Sequence, residues 1–553
     1  LGRQNRNRIR KYSTFEKLRT LVFSLLAVYV VAIFVYMMHH VQEKQQVKED
    51  GNNLIEEQVM GFAEQTELLM QINNESMDAI IEPLVDQVNF DGDPHSSPVT
   101  ADHSPSQEDH AEVSDLKTAT KEDPVEGFLR TIKEFIILLR GQLRALESPT
   151  ADSAWSVYHD LAVARLVPMD LKYKGSLPYK VQQDESIFLS IASYRDILCP
   201  STLQEIFGKA TAPEKLRVGI VQQNCHENCM VYEQLTAEQK KPKGKGRPKV
   251  NLIPADGPDP DCRQTFCETE VGRKYCNQVQ VLDIEDYDAL GPCPARYFAS
   301  KMWTGQNYYM QIDSHMQFLP DWDRHLLHML SRANSTQPIL SAYPPGVTFP
   351  KWQKANGYRI CDIKFAQGQT ENQILRLQAA NVYDKVDTGY PRYAPFIAAG
   401  FFLVEASFLA NIPFDPLLPW VFAGEEPHLS LRFWTHGYDI FSPNRNYMAH
   451  YYSRIDAPKF YEAPKKLFKK GNIWAKCQKL VLHRLKHVLQ YNEFSTSDNL
   501  PNRTLAAYIP QLYGLGRQRD WQRYYEMTNI DIVHKTVGDI KWCKSGTTPV
   551  EYI

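Results

Sequence analysis

The chain has 553 residues, of which 43% are hydrophobic and 11% aromatic, enough for one large catalytic domain with appendages or for two to three ordinary domains. Its net charge of -3 argues against general binding to nucleic acid. The charge is unevenly spread along the chain, and that carries the first topological information.

Leu21 to Met38 reads LVFSLLAVYVVAIFVYMM, a run without charge, Gly or Pro. Its length fits the short end of a membrane-spanning helix. Arg3, Arg6, Arg8, Arg10, Lys11, Lys17 and Arg19 precede it. The positive-inside bias makes residues 1–20 a cytosolic tail, 21–38 a signal-anchor and the rest lumenal, in a type II arrangement within a Golgi or other secretory-pathway membrane. A cleaved leader fits less well, because HHVQEKQQ after the run offers no small-x-small site. Ten cysteines between Cys199 and Cys543, and glycosylation sequons at Asn74, Asn334 and Asn502, agree with an oxidising compartment.

Residues 39–183 read as a stem. Residues 91–125 are rich in Asp, Glu, Ser, Pro and His and carry few large apolar side chains, the composition of a disordered spacer. Within the stem, Phe128, Ile132, Phe135, Ile136, Leu139 and Leu143 recur at helical spacing, which predicts a helix over 125–146. Such a helix either docks on the body or pairs with a second copy to form a homodimer.

A catalytic domain is expected over 184–455. IFLSIASYRD (187–196), LRVGIVQQ (216–223), QVQVLDIED (278–286) and NYYMQI (307–312) read as strands, separated by a helix after Pro200 and another over 293–303. The basic QKKPKGKGRPK (239–249) reads as a solvated insertion. PILSAYPP reads as a further strand, FIAAGFFLVEASFLANIPF as strand then helix, and 424–443 as helix then strand. Alternation of this kind predicts an α/β layer with a mixed, mainly parallel sheet. Residues 456–553 read as an extension folded onto that domain. Cys225-x3-Cys229 and Cys262-x4-Cys267 read as disulfide cysteines rather than zinc ligands, with connectivity open; Cys199 and Cys361, nearer the expected core, read as candidates for free thiols.

Ligands of α/β folds gather beyond the carboxyl ends of the strands. There the fourth strand ends in Asp313-Ser314-His315. In extended chain, residues two apart point the same way, so Asp313 and His315 can aim at one point. One carboxylate oxygen and one imidazole nitrogen suit Mn²⁺, with Mg²⁺ as the alternative, and such an ion neutralises a departing diphosphate. The competing reading makes Asp313 or Ser314 a cap for the following turn.

QIDSHMQF, with GQNYYM before it and LPDWD after it, resembles the metal-binding segment of the polypeptide α-N-acetylglucosaminyltransferase family, whose founding member is a cytoplasmic enzyme that modifies hydroxyproline. FLSIASYRD (188–196), CPARYFASKMWTG (293–305), GEE (424–426) and FWTHGYDIFSPNRNYMAHYY (433–452) resemble further family segments in the same order, over about 185–455. The resemblance implies a GT-A fold, a UDP-GlcNAc donor, a divalent cation and retention at the anomeric carbon. It implies that Asp313, His315 and His450 hold the metal and that Ser190, Ala192 and Arg195 lie beside the uridine. It further implies that Arg296 and Lys301 touch the diphosphate or ribose, and that Glu425 and Glu426 stand near the sugar and the acceptor hydroxyl. Arg296 and Lys301, five apart, do not share a helical face. Glu425 and Glu426 are adjacent, so one is expected to face the site, with Glu426 slightly preferred. The acceptor implied is a protein or glycoprotein hydroxyl on Thr, Ser or hydroxyproline. A silent lumenal UDP-sugar-binding scaffold and a transferase of another UDP-hexose are the rival readings.

Overall fold

The structure is a computed structural model, and it describes residues 122–549 apart from 237–249, 368–372, 379–381, 384–387, 455 and 469–472. The run Leu21–Met38 and the basic insertion lie outside the described residues. Among those described, no helix is long and apolar enough to cross a membrane.

The strands form as their side-chain alternation dictates. In β1 (Ile187–Tyr194), Ile187, Leu189 and Ile191 point into one apolar layer and Phe188 into the other. β2 (Leu216–Asn224), β3 (Val279–Glu285) and β4 (Tyr308–Asp313) complete the parallel half: β1 lies between β2 and β4, and β3 flanks β2. After Asp313 the chain turns at Ser314 and His315 into the short β5 (Met316–Phe318). β6 (Pro338–Ser341), β7 (Arg392–Tyr393), β8 (Phe401–Glu405) and β9 (Asp439–Ser442) extend the sheet to eight strands in the order β7-β9-β6-β8-β4-β1-β2-β3. β8 runs antiparallel to β4 and β6, β7 antiparallel to β9, and β9 parallel to β6. The mixed, mainly parallel α/β sheet is thus as expected. β10 (Met448–His450) leaves the sheet and pairs with β5, setting His450 opposite Met316. The helix expected after β8 forms only a 3-10 turn, Ala406–Ala410.

Helices cover both faces. α1 (Pro124–Ala145) starts where Asp123 accepts hydrogen bonds from the backbone N–H groups of Val125 and Glu126, with Pro124 in the first turn. Its apolar stripe is buried against the body: Phe135 meets Tyr158 of α2 (Ala151–Arg165) at 5.6 Å and Phe298 at 6.4 Å between ring centroids. The stripe that a homodimer would have used is therefore buried within the chain. α2 buries Trp155, Tyr158 and Ala162, and α3 (Val167–Lys172) buries Asp170. α5 (Pro292–Ser300) and α7 (Glu425–Thr435) share this layer. α4 (Cys199–Lys209) and α6 (Trp322–Ser331) cover the other face. The 456–549 region folds onto the body through α8 (Ile473–Val488), whose Cys477, Val481 and Leu485 are fully buried.

Four disulfides pair Cys199 with Cys262, Cys225 with Cys229, Cys267 with Cys276, and Cys361 with Cys543. The free thiols are Cys293 and Cys477, not Cys199 and Cys361. Burial did not distinguish them, since Cys199 and Cys361 are equally buried; the partner's position in space did, and spacing along the chain does not encode it.

Candidate active site and metal centre

Three elements bring three side chains together. Asp313 closes β4 beside Ala192 of β1, His315 follows in the turn, and His450 closes β10. One oxygen or nitrogen from each lies within 4.8 Å of the others. His450 Nε2 stands 3.1 Å from Asp313 Oδ2, and the imidazole rings of His315 and His450 meet at 4.5 Å between centroids. Gly400 makes room for the carboxylate, since a Cβ there would come within 2.9 Å of Asp313 Oδ2. The Asp313 side chain keeps 27% of its surface exposed.

His315 Nδ1 is engaged by Asp196 Oδ2 at 2.6 Å, so Nε2 is the nitrogen it can offer. His450 Nδ1 is buried without a hydrogen-bond partner among the described residues. One carboxylate and two imidazoles, spaced so that a small contraction would bring all three to one centre, fit a borderline divalent cation. Burial pushes the Asp313 carboxyl up, but the His450 hydrogen bond and the Arg296 guanidinium outweigh it and hold that carboxyl well below the usual range. Asp313 is therefore ionised, as a ligand must be.

Arg296, on α5, faces this cluster. Its Nη2 lies 3.2 Å from Asp313 Oδ1, its Nη1 donates to Glu425, and its Nε has no partner among the described residues. Glu425 and Glu426 open α7 after Gly424, whose φ of 95° favours glycine. Both glutamates find partners on the body. Glu425 reaches Arg296, while both Glu426 oxygens accept from the Tyr343 hydroxyl at 2.7 Å and one also from the Ala399 N–H. A first helical turn flanked by the body on two sides lets neighbours 100° apart both find partners. Burial pushes the Glu426 carboxyl up to about 7, against the Tyr343 and Ala399 hydrogen bonds. Burial likewise raises Glu425 above its usual value, although Arg296 opposes it.

A cavity of about 390 Å³ opens beside the cluster. Ala192, Tyr194, Gln223, Ser314 and His315 form its floor side; Arg454, Lys459, Phe460, Tyr461 and Trp474 come from the chain after β10. Of the residues expected beside the donor, Ala192 lines this cavity. Ser190 does not: it is fully buried in mid-strand, paired with Gly219 and Gln311. Arg195 is held by Asp259, with Nε to Oδ2 at 2.6 Å and Nη2 to Oδ1 at 3.0 Å, and by Asp286. Lys301 points away from the cluster, to Asp170 of α3 and over the Tyr297 ring. A five-residue offset turns it 140° from Arg296 about the α5 axis. The sequence reading missed Asp196 and Arg454. A carboxylate at the end of β1, as Asp313 ends β4, was the available signal for Asp196.

A carboxylate and two imidazoles converge at the carboxyl edge of a mixed α/β sheet, with an open cavity beside them, a set that could hold a divalent cation. The chain belongs to the family described as Glycosyltransferase (GlcNAc), which it matches over residues 186–534. No curated protein matches it by sequence. Among solved structures it is similar to GalNAc-T7 with UDP, GalNAc and Mn²⁺, at 13% identity over 65% of this chain and 56% of that one, with a TM-score of 0.36. It is also similar to residues 1–349 of TarS from S. aureus (14% identity, 58% of this chain, 82% of that one, TM-score 0.27). The same TarS segment in complex with UDP-GlcNAc gives 11% identity over 63% of this chain and 80% of that one, with a TM-score of 0.28. The chain spans little more than half the length of the GalNAc-T7 chain.

Proposed function

We propose that this chain transfers GlcNAc from UDP-GlcNAc to a Thr, Ser or hydroxyproline hydroxyl of a protein, with retention, on a GT-A fold. The observation that carries the reading is the convergence of Asp313, His315 and His450 beside the cavity. A divalent cation held there, Mn²⁺ best suited to the mixed O/N donors, would neutralise the charge that builds on departing UDP. Arg296 pairs with both Asp313 and Glu425 beside the proposed cation site. Ala192 and Tyr194 offer one cavity wall to the nucleotide, and Arg454 offers a cation. Glu425 and Glu426 flank the cluster from α7. Glu426, poised near neutrality, is suited to exchange a proton with the acceptor, and Glu425 to steady the sugar through Arg296. Retention leaves attack from the leaving-group face or a covalent carboxylate intermediate. The disulfides and sequons agree with an oxidising compartment, and the apolar run Leu21–Met38 is the basis for proposing a lumenal body carried by a type II signal-anchor in the Golgi or a neighbouring membrane.

The test is UDP release by the full chain from a panel of UDP-sugars, with Mn²⁺ and with chelator; many transferases slowly hydrolyse their donor, so no acceptor is required. Mn²⁺-dependent release from UDP-GlcNAc above the other sugars is expected. A preference for another UDP-hexose would overturn the donor, and UDP binding without release from any donor would favour the silent scaffold.

A further inference from the structure

The turn that leaves β1 is built to deliver a carboxylate. Arg195 adopts φ 46°, the left-handed region, although it is not glycine. Its side chain is held by the paired bonds to Asp259, and its backbone N–H donates to Gln223 O at 3.1 Å. Asp259 is fixed in turn by accepting from the Cys225 N–H at 2.8 Å. On one side of this turn Tyr194 lines the cavity; on the other Asp196 goes under His315.

The two oxygens of Asp196, whose side chain is 2% exposed, have different tasks. Oδ1 accepts from the Leu198 N–H at 3.1 Å and faces Arg454 Nη2 at 3.4 Å, a local turn bond and an ion pair. Oδ2 accepts from His315 Nδ1 at 2.6 Å and from Ser314 Oγ at 2.5 Å. An ionised carboxylate only accepts, so it fixes the proton on Nδ1 and leaves Nε2 bare toward Asp313 and His450. A carboxylate behind a ligating histidine fixes ring orientation and raises its basicity.

We propose that Asp196 is the positioning residue for His315 in cation binding, and that Arg195 with Asp259 is the strut that keeps it there. The inference rests on the cation site of the proposed function. Asp196→Asn separates its two tasks: Oδ1 still accepts from Leu198, whereas an amide NH₂ in place of Oδ2 opposes the Nδ1 proton.

The experiment titrates Mn²⁺ into the full chain at saturating UDP by calorimetry, alongside the Mn²⁺ dependence of UDP release. D196N is expected to weaken Mn²⁺ binding about 10–100-fold. The apparent KM for Mn²⁺ should rise by the same factor, while kcat at saturating Mn²⁺ changes less than about threefold and the unfolding midpoint holds. Mn²⁺ affinity of D196N within about twofold of wild type, with binding abolished in D313N, overturns the inference and leaves the cation site standing. Absence of Mn²⁺ binding by the wild type overturns both. Should D196N not fold, Asp259→Asn loosens the strut without touching a ligand or its carboxylate; several-fold weaker Mn²⁺ binding supports the proposal, and unchanged binding overturns it.

Discussion

Two buried arginines show how differently this fold surrounds a charge: one is fully enclosed, the other is shared beside a partly exposed carboxylate. Arg484 of α8 is fully enclosed: Nε and Nη2 grip Asp415 at 2.9 and 3.1 Å, and Nη1 donates to the carbonyls of Leu505 and Ala507. Arg296 is shared between Glu425 and Asp313, its Nε is unmatched among the described residues, and the Asp313 side chain is partly exposed. The closed cluster ties three stretches of the C-terminal half together. The open one keeps donor and acceptor capacity in reserve at the carboxyl edge of the sheet. Incomplete satisfaction, costly in a core, is what a binding site requires.

The contrast can be broken from either end. The largest effect should come from Arg484→Met, which leaves Asp415 buried and unpaired; a loss of about 3–5 kcal/mol in urea unfolding is expected. A midpoint like that of wild type would mean the cluster is not structural. Asp313→Asn should act on turnover, cutting UDP release about 10³-fold. Unchanged turnover would remove Asp313 from the metal centre.

Glu426→Gln sharpens the comparison through pH. The folded carboxyl titrates near 7 and the unfolded one near 4.5, so between those values the folded state keeps a proton that the unfolded state has released. Stability contributed by this group therefore falls as pH rises from about 4.5 to 7 and is level above. The variant, neutral throughout, should gain over wild type at pH 8 and match it at pH 4.5; parallel curves would contradict the assignment. The smallest effect is expected from Lys301→Met, which opens the Lys301–Asp170–Tyr513 contact. It should cost about 1–3 kcal/mol of stability and leave the KM for donor unchanged. A raised donor KM would return Lys301 to the donor site.

Much of the sheet was legible because periodicity is local. The alternation in Ile187–Tyr194, the run ending at Asp313 and the stripe from Phe128 to Leu143 each specify an element and its buried face within a few residues. Asp313 and His315 were legible for the same reason, lying on one segment. What escaped depends on the third dimension. Arg195 and Lys301 are cationic near the right motif, yet their carboxylate partners, Asp259 and Asp170, lie 64 and 131 residues away in sequence. Glu425 and Glu426 both find partners because Arg296 and Tyr343 approach one helical turn from different elements. The 151–172 helices escaped although Trp155, Tyr158 and Ala162 recur at helical spacing. Their value is in covering α1 and Trp420, a contact of 5.5 Å between Tyr158 and Trp420 that no local pattern announces.

The central claim is that Asp313, His315 and His450 hold one divalent cation beside the donor cavity. It is tested most directly by a crystal of the full chain grown with Mn²⁺ and UDP, with anomalous scattering recorded at the manganese edge. The account predicts a single strong peak bounded by the Asp313 carboxylate and one nitrogen of each histidine, with His315 Nδ1 still on Asp196. A nucleotide bound with no manganese at this cluster, or manganese held elsewhere while His450 keeps its bond to Asp313, would contradict it.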